Sequence, residues 1–586
     1  MAGKMDLDPV TLEVIRNALP AIANEMAIAL QHTSYNMVIY ATKDFCTALV
    51  NPDGELVCQN AGGVSHFVAD LGVVITDVIG RQGREGIKPG DVFITNHQAV
   101  AGQHLNNMVV YTPCFHGGEL VMFAMTRAHW IDVGGSSTGF GGGPTTADPW
   151  IEGLQLNQLK LYEEGVRNET LHTVLSDNIR YPESSLGDLR SQITACRVGM
   201  RRFEELLERY GKPLMMAGIE QIFDESEAKC RNIIRQFPDG VYEAERWIDN
   251  DGVTPDEKVT LHAKVTIANG EMTVDLSGCS LERRAAINSR TLAPARIAYK
   301  ALTSPNDPVN EGAFRALKTI VKEGTICWAR WPAPMASWSF VLPMLVDVII
   351  AAMAQAVPDR APAGHWGLMA TTVFFGMNPK TNRRFVVNAP GGGGWGGRPF
   401  EDGESASCNI CQGDVRTSTI EEMEMKNPIL ILERRLRDDS AGPGKYRGGF
   451  GSTTHMVNLV EGRWTLEKPR RQSCPPWGIA GGLSGEAGMK LMRKPGETEF
   501  KDMDVARYLV PANTEVIVHT GSGGGWGDPL DRDFEAVMND VREGLVSREA
   551  ARGQYGIVVG EDMRLDRAAT EELRSVERRG RASEVA

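Results

Sequence analysis

No apolar run in this chain is long enough to cross a bilayer. The most apolar stretch, MLVDVIIAAMAQAV (344–357), falls short of the roughly 20 residues a ~30 Å hydrocarbon core requires and carries Asp347. It reads as a buried helix. There is no basic cluster either, and the formal net charge is −13, so the positive face that a phosphate backbone demands is missing. The opening MAGKMDLDPV has neither the basic start nor the apolar core of a signal peptide. Cysteine is sparse: 10 residues scattered through 586, a usage that fits reduced thiols. Only Cys408 and Cys411 stand in CxxC spacing, with no second pair to complete a zinc site. Together these absences predict a cytoplasmic protein with no nucleic-acid and no membrane partner.

A phosphate-cradling loop is also missing. The last third is punctuated by glycine, in APGGGGWGGRP (389–399), AGPGKYRGGFG (441–451), AGGLSGEAG (480–488) and TGSGGGWGDP (520–529). None is closed by GK[ST], and none sits between a strand and a helix in a βαβ unit. Tight turns and close backbone packing in a β-rich domain account for them.

What is present is ordinary globular composition, 42% apolar and 23% charged, in a chain too long for one core. Asp8 caps a helix with Pro9 in its first turn and an apolar stripe at Leu12, Ile15, Leu19, Ile22, Met26 and Leu30, which Pro20 is expected to kink. A second helix is predicted over 186–210, stopped by Gly211, and a third over 214–236. Asp53-Gly54 and Asn269-Gly270 mark hairpins, the latter inside the alternating run 259–276, where His262 falls in the polar phase. The expected architecture is α+β and multidomain. A mixed N-terminal domain spans 1–212, a strand-rich middle domain 213–385, and a glycine-rich β domain with C-terminal helices 386–586.

Chemistry concentrates between residues 96 and 135. The apolar runs MVVYTPCF and ELVMFAMT flank HGG at 116–118, a strand, a turn and a strand. A turn centred on His116-Gly117 sets His104 opposite His129, with Cβ atoms about 5 Å apart; one centred on Gly117-Gly118 shifts them by one residue and leaves them neighbours. Asp132 follows three residues after His129 and is a candidate to contribute a carboxylate or to orient an imidazole. His116, at the turn tip, is expected to be exposed. Trp328, Trp331 and Trp338 offer an aromatic pocket or plain core packing.

A resemblance runs nearly end to end. DPVTLEVIRNAL, DFCTALVNPDGELVCQ, GDVFITN, GQHL, RAHWIDVGG, SLGDLRSQITA, VNEGAFR, GGGGWGG, GPGKYRGGFG and GGGWGDPLDRD occur in this order. They resemble the hydantoinase B family, which includes subunits of ATP-dependent hydantoinases, oxoprolinases and ketone carboxylases. The resemblance implies an ATP-dependent enzyme whose ATP and Mg2+ sit on a hydantoinase A-type partner, with a small accessory subunit as a further expected partner. In carboxylase relatives it implies manganese held by a histidine, an aspartate three residues on, and a second histidine, which fall here on His104, Asn107 and His129. Asn107 departs from that pattern: an amide oxygen is a weaker ligand than a carboxylate, which argues against manganese or zinc. A second departure is Asn96-His97-Gln98, where many members have Asn-Asp-Pro.

The reading that follows is a subunit of an ATP-dependent carboxylase acting on an acetophenone-like ketone with bicarbonate. The alternatives are a subunit of an ATP-dependent cyclic-amide hydrolase (hydantoinase, oxoprolinase or lactamase) and a catalytically silent scaffold. His104, His129, Asn107 and Asp132 are the expected catalytic residues, the histidines acting as cationic donors to an oxyanion or as proton shuttles and Asn107 as an amide donor.

Overall fold

The N-terminal helix runs Pro9–Thr33, with the Asp8 carboxylate accepting from the Val10 and Thr11 amides at its start. Its buried stripe is Leu12, Ile15, Leu19, Ile22, Ala23, Met26 and Leu30, and the helix continues through Pro20. A 29-residue helix, Pro182–Tyr210, packs beside it and ends at Gly211, whose φ of 77° is free of steric cost only in glycine. The third helix follows at once, Lys212–Ile234. These elements belong to a computed structural model that describes residues 7–136, 138, 143, 145–367, 372–388, 391–503 and 506–585; the first two residues of the 389–399 glycine stretch lie outside it.

The helices cover one face of a seven-stranded sheet. Its strands are β1 (Phe45–Val50), β2 (Leu56–Gln59), β3 (Val92–Thr95), β4 (Asn107–His116), β5 (Glu119–His129), β6 (Leu159–Glu163) and β7 (Val166–Arg167), ordered β2-β1-β5-β4-β3-β6-β7. All its pairings are antiparallel. Alternation along β1 divides the faces. Phe45 and Leu49 join the core under the long helices, while Cys46, Ala48 and Val50 join a second core on the other face with Phe67 and Leu71. That second face carries the site.

The middle of the chain adds a four-stranded sheet, β8 (Gly240–Ile248), β9 (Val259–Ala268), β10 (Glu271–Asp275) and β11 (Leu317–Ile320), of which only the β10–β11 pair is parallel. Asn269 and Gly270 turn β9 into β10 with φ of 54° and 76°, as their sequence predicts. His262 pairs at 3.2 Å with the Glu243 carboxylate, at the half-open surface of the strand. The apolar stretch is a helix, Leu342–Met353, buried at every residue. Two antiparallel sheets of four and five strands follow between Thr372 and His519.

The glycine stretches knit these sheets together. Gly394 N donates to Gly521 O at 3.0 Å and Gly442 N to Gly523 O at 2.8 Å. A Cβ on Gly523 would stand 1.7 Å from the Trp395 carbonyl, a contact no side chain survives. The molecule is therefore α+β with several sheets; the boundaries at 212 and 385 stand as our proposal. Among the described residues no helix is long and apolar enough to cross a membrane.

Candidate functional site

Three neighbouring strand ends make the floor of the site. Ala128 pairs with Phe45 on β1 and with Met108 on β4. One residue further along, His129 pairs with Asn107 and its amide donates to the Asp44 carbonyl at 3.1 Å. Asp44, His129 and Asn107 thus form one row across the sheet. Because side chains alternate, the next row on the same face is Cys46, Arg127 and Val109.

The hairpin turns at Gly117-Gly118, both with positive φ, and a bulge between Cys114 and Phe115 moves the register beyond it. His104 is therefore not a strand residue opposite His129. It lies in the turn before β4, where the Asn107 amide donates to its carbonyl at 3.3 Å. That turn folds back over the row and brings the two imidazoles to 4.8 Å between ring centres. His116 at the hairpin is half-buried.

The carboxylate at His129 is Asp44, with its Oδ2 3.3 Å from Nδ1. Asp132 is engaged elsewhere: it is buried, accepts the Arg180 amide at 2.5 Å and pairs with the Arg180 guanidinium at 2.7 Å. The roof comes from distant parts of the chain. His66 and Phe67, on the short helix Ser65–Val68, lie over the floor, and the Trp338 ring stands 4.5 Å from His66 and 5.8 Å from His104. His66 Nδ1 donates to the Cys411 carbonyl at 2.7 Å, which fixes its tautomer, since a carbonyl only accepts. The CxxC loop so serves the site through a backbone oxygen, and both of its cysteines are free thiols. The three tryptophans do not share a pocket: Trp331 is 42% exposed near Trp150, and Trp328 lies under Arg290.

Burial governs the charges. It pushes His66 down to about 4. His104 lies well below the ordinary histidine range, first through burial and then through the nearby His129, His66 and Arg127. His104 is a neutral base at physiological pH, so the expected role as a cationic donor does not fit it. Asn107 corrects a second expectation. Asp70 accepts from Gln103 Nε2 at 3.3 Å, so Gln103 Oε1 is left to accept from Asn107 Nδ2 at 2.7 Å. Asn107 therefore presents its oxygen to the site. Asn107 Oδ1 and His104 Nδ1 are both buried without a hydrogen-bond partner among the described residues.

These donors do not make a metal centre as arranged. Among the described residues no three His, Cys, Asp or Glu side chains are disposed to hold an ion. Two imidazoles and a neutral amide oxygen are also poor ligands for a hard divalent cation.

Asp44, His66 and Arg127 were missed in the sequence. Arg127 had a signal, since it shares the alternation phase of His129 along β5. Asp44 had none, because its closeness to His129 arises only from strand pairing. Glu152 was missed for the same reason. It accepts from Gln98 Nε2 at 3.0 and 3.1 Å and from the Leu105 and Met335 amides at 3.3 Å each, and its burial pushes it up to about 7.

The family model described as Hydantoinase B/oxoprolinase matches residues 8–529. The chain belongs to the hydantoinase B/oxoprolinase family. Among its members, a protein of Pseudomonas sp. strain NS671 assigned as the B component of a D-/L-hydantoinase is 30% identical, over 97% of this chain and 98% of its own. The β component of the caprolactamase of Pseudomonas jessenii is 31% identical, over 96% and 98%. A chain in the crystal structure of the ATP-dependent caprolactamase from that organism superposes with a TM-score of 0.88, covering 97% of this chain and 100% of that one. A chain of acetone carboxylase, in its nucleotide-free structure, superposes with a TM-score of 0.89 at 18% identity, over 98% and 84%, a likeness of fold. None of these three relatives is an acetophenone carboxylase, the member expected from the sequence.

Proposed function

We propose that this chain is the hydrolytic subunit of an ATP-dependent amidohydrolase that opens a small cyclic amide. The observation that carries the reading is the pair of unpartnered buried polar atoms, His104 Nδ1 and Asn107 Oδ1, beside the His129–Asp44 pair. A cyclic amide brings an N–H for Asn107 to accept; a ketone brings none. The full-length similarity to hydantoinase and caprolactamase subunits supports the same choice.

In this reading ATP, bound with Mg2+ by a hydantoinase A-type partner, phosphorylates the amide oxygen. Water then adds to the carbonyl carbon while neutral His104 takes its proton. The proton passes to the ring nitrogen as the C–N bond breaks and the added hydroxyl gives up its own proton to solvent, leaving an amine and an acyl phosphate. A second water releases phosphate and leaves a carboxylate. His129, held by Asp44, orients and relays.

The test is co-expression with the ATP-binding partner and assay against hydantoins, 5-oxoproline and lactams, with labelled bicarbonate present. Ring opening coupled to ATP is expected, and the isolated chain should turn over no ATP. His104→Ala should lower turnover by ~10²-fold or more, as for a general base. ATP-dependent incorporation of label into a ketone would replace this reading with the carboxylase one. Full turnover by the His104→Ala/His129→Ala double variant would establish a scaffold instead.

A further inference from the structure

The row behind the histidines holds a guanidinium that the mechanism above does not use. Arg127 is 1% exposed on the floor of the site, two residues before His129 on the same face of β5. Its Nε and Nη1 have no hydrogen-bond acceptor among the described residues. The nearest carboxylate, Asp70, stands 3.8 Å from Nη1, beyond hydrogen-bond reach, and is already taken up by the Thr291 hydroxyl at 2.7 and 2.8 Å and by Gln103. The guanidinium carbon lies 5.1 Å over the Phe67 ring, a cation–π contact. Buried arginines ordinarily spend these donors on a carboxylate or on carbonyls. Here at least two are unspent, beside His66 and His104, which burial keeps neutral.

We propose that Arg127 is an oxyanion-binding residue. It takes the charged oxygen of a carboxylate or acyl-phosphate group lodged against His104 and His129. The role expected of a cationic His104 thus falls to a cation that cannot be deprotonated in this pH range. In a water-poor site, a fixed donor aimed at a developing oxyanion favours the transition state over the neutral ground state. The inference rests on the amidohydrolase reading for the order of events, since the acyl phosphate and the carboxylate both arise there after the ring opens. The anion site itself does not depend on which reaction the complex runs.

The test uses the purified full-length chain with neither partner nor ATP. Acetate, bicarbonate and inorganic phosphate are titrated separately, by calorimetry and by thermal unfolding at constant ionic strength. Wild type is expected to bind at least one of them saturably. Arg127→Lys keeps the charge but not the planar donors and should weaken that binding about tenfold. Removal of the cation alone would strand Asp70, so the charge-free variant is Arg127→Met/Asp70→Asn, checked for fold by circular dichroism; it should bind none. Preference for acetate or bicarbonate identifies the carboxylate as the group held, and preference for phosphate identifies the acyl phosphate. Saturable binding by neither class, or equal binding by wild type and both variants, overturns the proposal. In the intact complex Arg127→Lys should lower kcat more than it raises KM. Anion binding without any ring-opening activity would sink the amidohydrolase reading and leave the anion site standing.

Discussion

At the scale of single residues, the site is set by what burial does to charge. His66 and His104 lose the ability to hold the second ring proton that would charge them, while Arg127 keeps its own charge with Asp70 nearby. Glu152 shows the same effect with opposite sign. Four hydrogen bonds favour its ionised form, yet burial outweighs them and holds the carboxyl at about 7 against a usual 4.5. Between these values the folded state carries a proton that the unfolded state has released. Glu152 therefore stabilises the fold relatively below pH 4.5 and costs about 1.4 kcal/mol per pH unit as pH rises toward 7, roughly 3 kcal/mol in all. Chemical denaturation at pH 5, 6, 7 and 8 should show a shallower decline for Glu152→Gln than for wild type between pH 5 and 7. Equal slopes would mean that the carboxyl titrates normally.

At the scale of elements, the decisive piece is the turn that carries His104. Among the described residues no strand pairing holds it to the floor; it is clamped from outside. Gly102 forms an antiparallel bridge with Arg290, giving its amide to the Arg290 carbonyl at 3.2 Å and receiving the Arg290 amide at 3.0 Å. A Cβ at Gly102 would lie 2.2 Å from the Arg290 Cβ and 2.7 Å from its amide nitrogen. Gly102→Ala must therefore part the two backbones and shift the turn. A displacement near 1 Å of a catalytic group can cost ~10²-fold in rate, so this variant should lose activity on that scale while its unfolding free energy drops by only about 1–3 kcal/mol. Retention of full turnover would show that the bridge does not set the position of His104.

Across the whole molecule, segments far apart in sequence are locked by buried charge as well as by apolar packing. Asp347, inside the apolar helix Leu342–Met353, accepts from the His365 ring at 3.2 Å and lies 3.5 Å from Arg471, which donates to the His365 carbonyl at 3.0 Å. Asp347 and Arg471 are both buried. The same part of the chain delivers Trp338 to the site four residues before that helix begins. Asp347→Ala would leave Arg471 charged, buried and uncompensated, so a loss of about 3–5 kcal/mol is expected, measurable as a lower denaturation midpoint. Replacing the ion pair by apolar residues, as in Asp347→Leu/Arg471→Met, should recover much of that loss. If Asp347→Ala costs less than 1 kcal/mol, the pair is not what joins these segments.

The local features were decided by the sequence alone. Helix starts and stops at Asp8 and Gly211, turns at Asn269-Gly270 and Gly117-Gly118, and the buried apolar helix around Asp347 follow from capping, positive φ and periodicity, which act over a few residues. The presence of two histidines near a β-hairpin was legible on the same terms. Tertiary structure alone decided what surrounds them. Asp44 in place of Asp132, the roof of His66 and Trp338, and the amide chain that turns the Asn107 oxygen inward all depend on strand order and on contacts between residues tens to hundreds of positions apart. So does the neutral state of His104, because proton affinity is set by the solvent and charges that folding leaves around a group, and no spacing in the sequence encodes these.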